Sequence, residues 1–180
     1  MHRQRLAAGL LLPLALLVGC GGDPDEASGP DEASSSDAGS VDTEAPDVCE
    51  LLPADAASQV AGFAVTAQEG PFDLCEYSQD DPRATSFALG AQLEAELGGG
   101  VQAYLDGITA GLTVEDESTP DIGERARIAT GEVSGFSQTA GAALVGGVLF
   151  TVNLTPGADL DAAGELALAE KLLRALTDAD

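Results

Sequence analysis

Phe87, Leu89, Ala91 and Leu93 alternate with smaller or polar residues, the period of a strand with one buried face. Val101, Tyr104, Leu105, Ile108 and Leu112 recur instead at i, i+3, i+4, i+7 and i+11, which predicts one apolar face of a helix entered through Gly98-Gly99-Gly100. A shorter helix is predicted over Ala56–Ala61, entered through Pro53 and ended near Gly62. Phe63–Ala67, Cys75–Ser78, Ala126–Thr130 and Val133–Ser137 read as strands. Ala142–Val145 and Val148–Leu154 flank Gly146-Gly147, the signature of a two-residue hairpin. After Pro156-Gly157, Leu160, Ala163, Leu166, Leu173 and Leu176 mark a last helix with Asp159 as its expected cap. Its cations, Lys171 and Arg174, lie in the later turns, where the helix dipole favours them. Helices interspersed with antiparallel strands predict a single α+β domain, a curved antiparallel sheet with helices packed on it.

The first residues follow a different pattern. His2, Arg3 and Arg5 precede an apolar run from Leu6 to Val18, broken only by Gly9 and Pro13. Its 13 residues would span about 20 Å as a helix, short of the ~30 Å hydrocarbon core, so it reads as the apolar part of a signal peptide. The run ends in Leu17-Val18-Gly19-Cys20, which resembles the lipobox of bacterial lipoproteins. That resemblance implies cleavage before Cys20 and a diacylglyceryl group on its thiol. An ordinary secretory peptide with a coincidental cysteine is the alternative. Two acyl chains suffice for stable attachment where one does not. The expected organisation is a signal peptide over 1–19, a lipidated cysteine and acidic tether over 20–47, and an extracytoplasmic domain over 48–180. Residues 21–47 are rich in acids, serine, glycine and proline, with Val41 alone among large aliphatics, so they are expected to be disordered. Such a segment serves equally as a spacer or as a solubilising tail, and its Ser/Thr and Pro content permits O-glycosylation.

Charge narrows the function. The 180 residues carry 31 acids against 7 lysines and arginines, a net charge of −24, which argues against nucleic acid as a partner. Loss of Arg3 and Arg5 with the signal peptide would leave five cations and a charge of −26. It would also remove His2, the only histidine, and with it Ser-His-Asp and Cys-His mechanisms and His-containing zinc sites. Cys49 and Cys75 are then the remaining thiols, and in an exported chain they predict one disulfide. Closing a loop of about 27 residues stabilises a fold by roughly 3–4 kcal/mol in the chain-entropy account. Catalytic use of either cysteine is disfavoured by the adjacent Glu50 and Glu76.

The remaining candidates for chemistry are weak. Gly98-Gly99-Gly100 lacks the lysine of a phosphate loop and reads as a helix-entry turn. Glu115, Asp116, Glu117, Asp121 and Glu124 offer calcium ligands but match no EF-hand spacing, and a solvated acidic loop is the simpler expectation. Asp80-Asp81 precedes Pro82-Arg83, which predicts a turn with a local ion pair rather than an acid/base pair. Ser134 and Ser118 have no nucleophile-elbow context. Tyr104 is expected in the core, and the sequon at Asn153 falls in a predicted strand. No cofactor, metal or catalytic residue is expected.

Taken together, the lipobox, the tether, Cys49-Glu50-Leu51-Leu52 and Cys75-Glu76-Tyr77 resemble an actinobacterial lipoprotein family of unknown function. Its members carry Cys-x-Leu-Leu, Cys-x-aromatic, a central helix, an Ile-Gly-acid segment like Ile122-Gly123-Glu124, a glycine-turn hairpin and a final helix. Tyr77 stands where tryptophan is common. The resemblance implies a disulfide-bridged, surface-anchored domain and supplies no reaction. The expected role is a lipid-anchored binding or accessory protein on the extracytoplasmic face of the cell membrane, attached through Cys20. Its partner would be an envelope or membrane protein with a basic exposed region, because residues 48–180 hold 22 acids against five cations. The alternative is a carrier for an apolar envelope molecule held between sheet and helices. A carboxylate-only hydrolase is a third and weaker reading.

Overall fold

Gly146 and Gly147 both adopt positive φ, 57° and 85°, the conformation that a tight two-residue hairpin turn demands. They join two long strands near the middle of the domain. A computed structural model describes residues 44–158 and 160–179. The sequence expectations for 1–19, Cys20 and most of the tether therefore lie outside the described residues, as does Asp159. In chain order the elements are α1 (Val48–Leu51), α2 (Ala54–Ala61), β1 (Thr66–Glu69), β2 (Cys75–Ser78), β3 (Ser86–Leu93), α3 (Gly100–Ala110), β4 (Thr113–Ser118), β5 (Arg125–Val133), β6 (Phe136–Val145), β7 (Val148–Thr155) and α4 (Ala162–Thr177). The fold is α+β, with one seven-stranded antiparallel sheet ordered β1-β2-β3-β7-β6-β5-β4. Two meanders, β1 to β3 and β4 to β7, join through the pairing of β3 with β7.

Side chains alternate across the sheet, so register assigns each strand's residues to two faces. Phe87, Leu89, Ile128, Ala143, Phe150, Val152 and Leu154 share the first face with Cys75 and Tyr77. Helices α1, α2 and α4 cover it, and Leu168, Ala169, Leu172, Leu173 and Leu176 of α4 are buried there. On the second face, among the described residues, α3 packs through Val101 and Leu105 against Ala142, Leu144 and Leu149.

Local chemistry fixes the entry to the domain. Asp47 caps α1 by accepting from the backbone N–H groups of Cys49 and Glu50. Cys49 and Cys75 form the disulfide, tying α1 to β2 with 5.2 Å between their Cα atoms. Tyr77 stacks on Phe87 with ring centroids 4.8 Å apart and donates its hydroxyl hydrogen bond to the Leu52 carbonyl at 2.6 Å. The Ile-Gly-acid segment also acquires a physical meaning. Ile122 inserts into the first-face core. Gly123 holds φ 59°, where a Cβ would run into the Leu144 carbonyl oxygen. Glu124 closes the segment by accepting from the Gly146 N–H at 3.1 Å.

Several sequence expectations need correction. Val133–Ser137 is not one strand: Val133 ends β5, Ser134 at φ 54° and Gly135 at φ 83° make the turn, and Phe136 and Ser137 open β6. The flanking Val133 and Phe136 conceal that turn in the sequence. Glu115–Glu117 is not a loop but part of β4, an exposed edge strand whose charges discourage pairing with another sheet edge. The first strand begins at Thr66 rather than Phe63. Asp161, not Asp159, caps α4, accepting from the Gly164 N–H at 2.9 Å. Ala163 is exposed, and the buried stripe of α4 runs instead from Glu165 to Leu176.

Burial, reinforced by the Asp47 carboxylate, pushes the Tyr77 phenol up from 10.0 to about 12. The folded state therefore retains a proton that the unfolded chain has already released between those values. Stability associated with this group is fully present below pH 10 and is lost as pH climbs toward 12. Tyr77→Phe should cost about 1–2 kcal/mol at pH 7, the value of a buried hydrogen bond whose acceptor is left unpaired. It should also flatten the alkaline loss of stability. Urea unfolding at pH 7 and above pH 10 checks both, and unchanged profiles would show that the hydroxyl contributes nothing.

Candidate functional site

One carboxylate breaks the apolar stripe of α4. Glu165 is 3% exposed, and its Oε2 accepts hydrogen bonds from the hydroxyls of Thr130 and Thr139, each at 2.7 Å. Ser137 donates to Oε1 at 3.1 Å. Strand register places Thr130 directly opposite Thr139, so β5 and β6 present their hydroxyls together beneath the first turn of α4. A carboxylate near a helix N-terminus is also favoured by the dipole. The arrangement fixes where α4 begins on the sheet. Sequence reasoning missed it; the available signal was an acid three and four residues before Leu168 and Ala169, on the apolar stripe.

The second face holds the larger opportunity. A cleft of about 430 Å3 lies between α3 and the sheet. Tyr104, Ile108 and Leu112 line one side; Val133, Gln138, Ala140 and Asn153 line the other. That volume falls within the range of small-molecule sites, which are mostly apolar with a few convergent polar groups. Here the polar groups are the Tyr104 phenol and two amides. Ala140 pairs with Asn153 across β6 and β7, and Gln138 lies two residues along on the same face. Neither amide side chain hydrogen-bonds to protein among the described residues. Among the described residues no charged side chain lines the cleft. Burial pushes the Tyr104 phenol up, with the neighbouring Thr151 hydroxyl acting in the opposite direction. Tyr104 both packs on the second-face core and lines the cleft, while the sequon residue Asn153 lies half-buried in β7.

A wider recess of about 730 Å3 surrounds the disulfide. Glu44, Asp47, Glu69, Asp73 and Glu96 contribute to its mostly polar wall, together with Phe72. Phe72 is 88% exposed and sits at φ 60° in the turn between β1 and β2.

The remaining candidates are dispersed. Gly98, Gly99 and Gly100 form the turn into α3. Arg83 pairs with Asp81 at 3.5 Å on the exposed turn before β3. Glu117 binds Arg127 at 2.9 Å, and the same guanidinium reaches Asp106 of α3 at 3.2 Å. Favourable contacts with those two carboxylates, the hydrogen bond that Arg127 donates to Glu117 foremost, raise the pKa of Arg127. Arg174 donates to the carbonyl of Asp121. No group of three or more His, Cys, Asp or Glu side chains is placed to hold a metal ion among the described residues. Ser134 is a turn residue, and the Ser118 hydroxyl is buried without a partner among the described residues. No family model, curated protein or solved structure matches the chain.

Removing the Glu165 carboxylate takes the shared acceptor from three hydroxyls, of which Thr139 and Thr130 keep their 2.9 Å contact with each other. Glu165→Ala should lower stability by about 2–3 kcal/mol, in the range for hydrogen bonds to a charged group. Glu165→Gln keeps an acceptor oxygen and should lose less than half as much. Denaturant midpoints for the three proteins test this, and an Ala variant as stable as the parent would remove the anchoring role.

Proposed function

We propose that this chain is a lipid-anchored extracytoplasmic binding protein of the bacterial cell envelope, which holds a small apolar molecule in the α3 cleft without converting it. The observation that carries the reading is the contrast between the two faces. Beneath α4 the sheet is filled by leucine, isoleucine, valine and phenylalanine side chains. Beneath α3 an uncharged cleft of about 430 Å3 remains, with two amides directed to its wall. Surface recognition alone gives no reason for that hollow, whereas a carrier needs it.

Attachment is assigned to the Cys20 thiol, because the chain reads as a lipoprotein precursor at Leu17-Val18-Gly19-Cys20. Among the described residues no helix is long and apolar enough to cross a membrane. A second reading, recognition of a basic protein surface, draws on Phe72, whose exposed ring stands beside the acidic recess. Aromatic anchors of this kind are common at the centres of protein interfaces.

Cys20→Ala should move the protein from the membrane fraction to the soluble fraction, and an unchanged distribution would remove the anchor. Native mass spectrometry of the protein extracted from its own membrane should show a noncovalent apolar adduct that disappears on denaturation. Recovery of only bare protein, with salt-sensitive capture of a specific basic partner, would transfer the function to the Phe72 surface.

A further inference from the structure

Tyr104, Gly107 and Ile108 lie at i, i+3 and i+4 on one stripe of α3, Gly111 continues the line as the helix C-cap, and all four line the cleft. Two of the four have no side chain. Glycine is the least favourable residue in a helix interior after proline, and Gly107 lies inside α3. Nothing in the fold demands it. A Cβ built at Gly107 or at Gly111 meets no atom within 4 Å, and neither residue adopts a left-handed φ. Both glycines are exposed, and their missing side chains leave open space along the lining of the cleft.

The charge distribution is equally selective. Residues 48–180 carry 22 acids, yet among the described residues none of them lines this cleft. The acid of α3, Asp106, engages Arg127 and Gln102. Glu132 pairs with Ser137, on the face occupied by Glu165. An anion would approach through a negative field and find no cation; a cation would leave the acidic surface for a wall without a carboxylate. Gln138 and Asn153 offer both donors and acceptors to a neutral polar group. Apolar surface continues beyond the cleft, because Phe136, 76% exposed, pairs with the lining residue Val133.

We infer that the cleft selects an uncharged amphiphile: its apolar part lies against Ile108, Leu112 and Val133, its hydroxyl or amide end meets Gln138 and Asn153, and Gly107 and Gly111 keep the room for it. This rests on the cleft being the ligand site. Helix stability has been given up to keep that room, so filling it should stabilise the protein while weakening binding.

Octanamide, octanoate and octylammonium share one chain length and differ in head charge. Each is titrated into the full chain at 0.5 M salt, which screens the surface charge. The side-chain amide resonances of Gln138 and Asn153 report occupancy. Octanamide should bind at least tenfold more tightly than either charged analogue. Gly107→Ala should raise Tm by about 2–4 °C, and Gly107→Leu should weaken octanamide at least tenfold while its Tm stays at or above that of the parent. Equal binding of a charged analogue at these resonances would overturn the selectivity and leave the cleft as a binding site. Full octanamide affinity in a folded Gly107→Leu protein would overturn the cleft itself. If the leucine variant does not fold, Gly107→Ala still decides: no gain in Tm would show that the glycine was not kept at the expense of the helix. Absence of octanamide binding to a parent that carries a native apolar adduct would reject the neutral-amphiphile class alone.

Discussion

The pairing of β3 with β7, from Ser86 opposite Thr155 to Leu93 opposite Val148, joins two otherwise separate meanders into one sheet. A three-stranded meander with a four-residue edge strand has little independent stability. Joined along eight residue pairs, the two halves form a continuous surface, and every layer is built on it. The disulfide and the Tyr77 hydrogen bond then hold α1 to the shorter half, where the sheet is narrowest. A one-residue slip of β3 on β7 would exchange Phe87 and Leu89 with Ala88 and Gly90 and empty the first-face core.

The sheet is covered unequally because α4 on one face and α3 on the other differ in side-chain volume. Over its 16 residues α4 buries four leucines, and Glu165 fixes its start. The 11-residue α3 buries only Val101 and Leu105, with glycine at position 107. A helix with that stripe cannot fill the space above Ala140 and Asn153. The same sheet therefore supports a closed core on one side and an open cleft on the other. Arg127 holds α3 beside the cleft by bridging Asp106 to Glu117 on the edge strand. The helix can thus be sparsely packed without separating from the sheet.

Strong local patterns were legible from the chain. The alternation in β3, the helical spacing in α3, the Gly146-Gly147 turn and the Cys49–Cys75 bridge all follow from residue type and spacing. Patterns that depend on position in the sheet were not. Glu115 to Glu117 resembles a loop because charged residues are poor strand formers, yet at a solvent-facing edge the same charges are tolerated and protective. The N-terminal part of β6 contains serine, glutamine, threonine, alanine and glycine, so its hydropathy contrast is too low to mark a strand, and its neighbours supply the order. Glu165 acquires its role only when β5 and β6 place three hydroxyls under it.

Covalent geometry and short-range periodicity determine where this chain bends, coils and extends, and which thiols remain to meet. They act over a few residues and leave a trace in any short window of sequence. The cleft has no such trace. Tyr104, Val133, Gln138 and Asn153 come from four separate elements, and long-range strand pairing decides which of them share a face. Tertiary structure alone established that α3 stands over these residues with two missing side chains, because the size of a void depends on what the surrounding elements fail to fill.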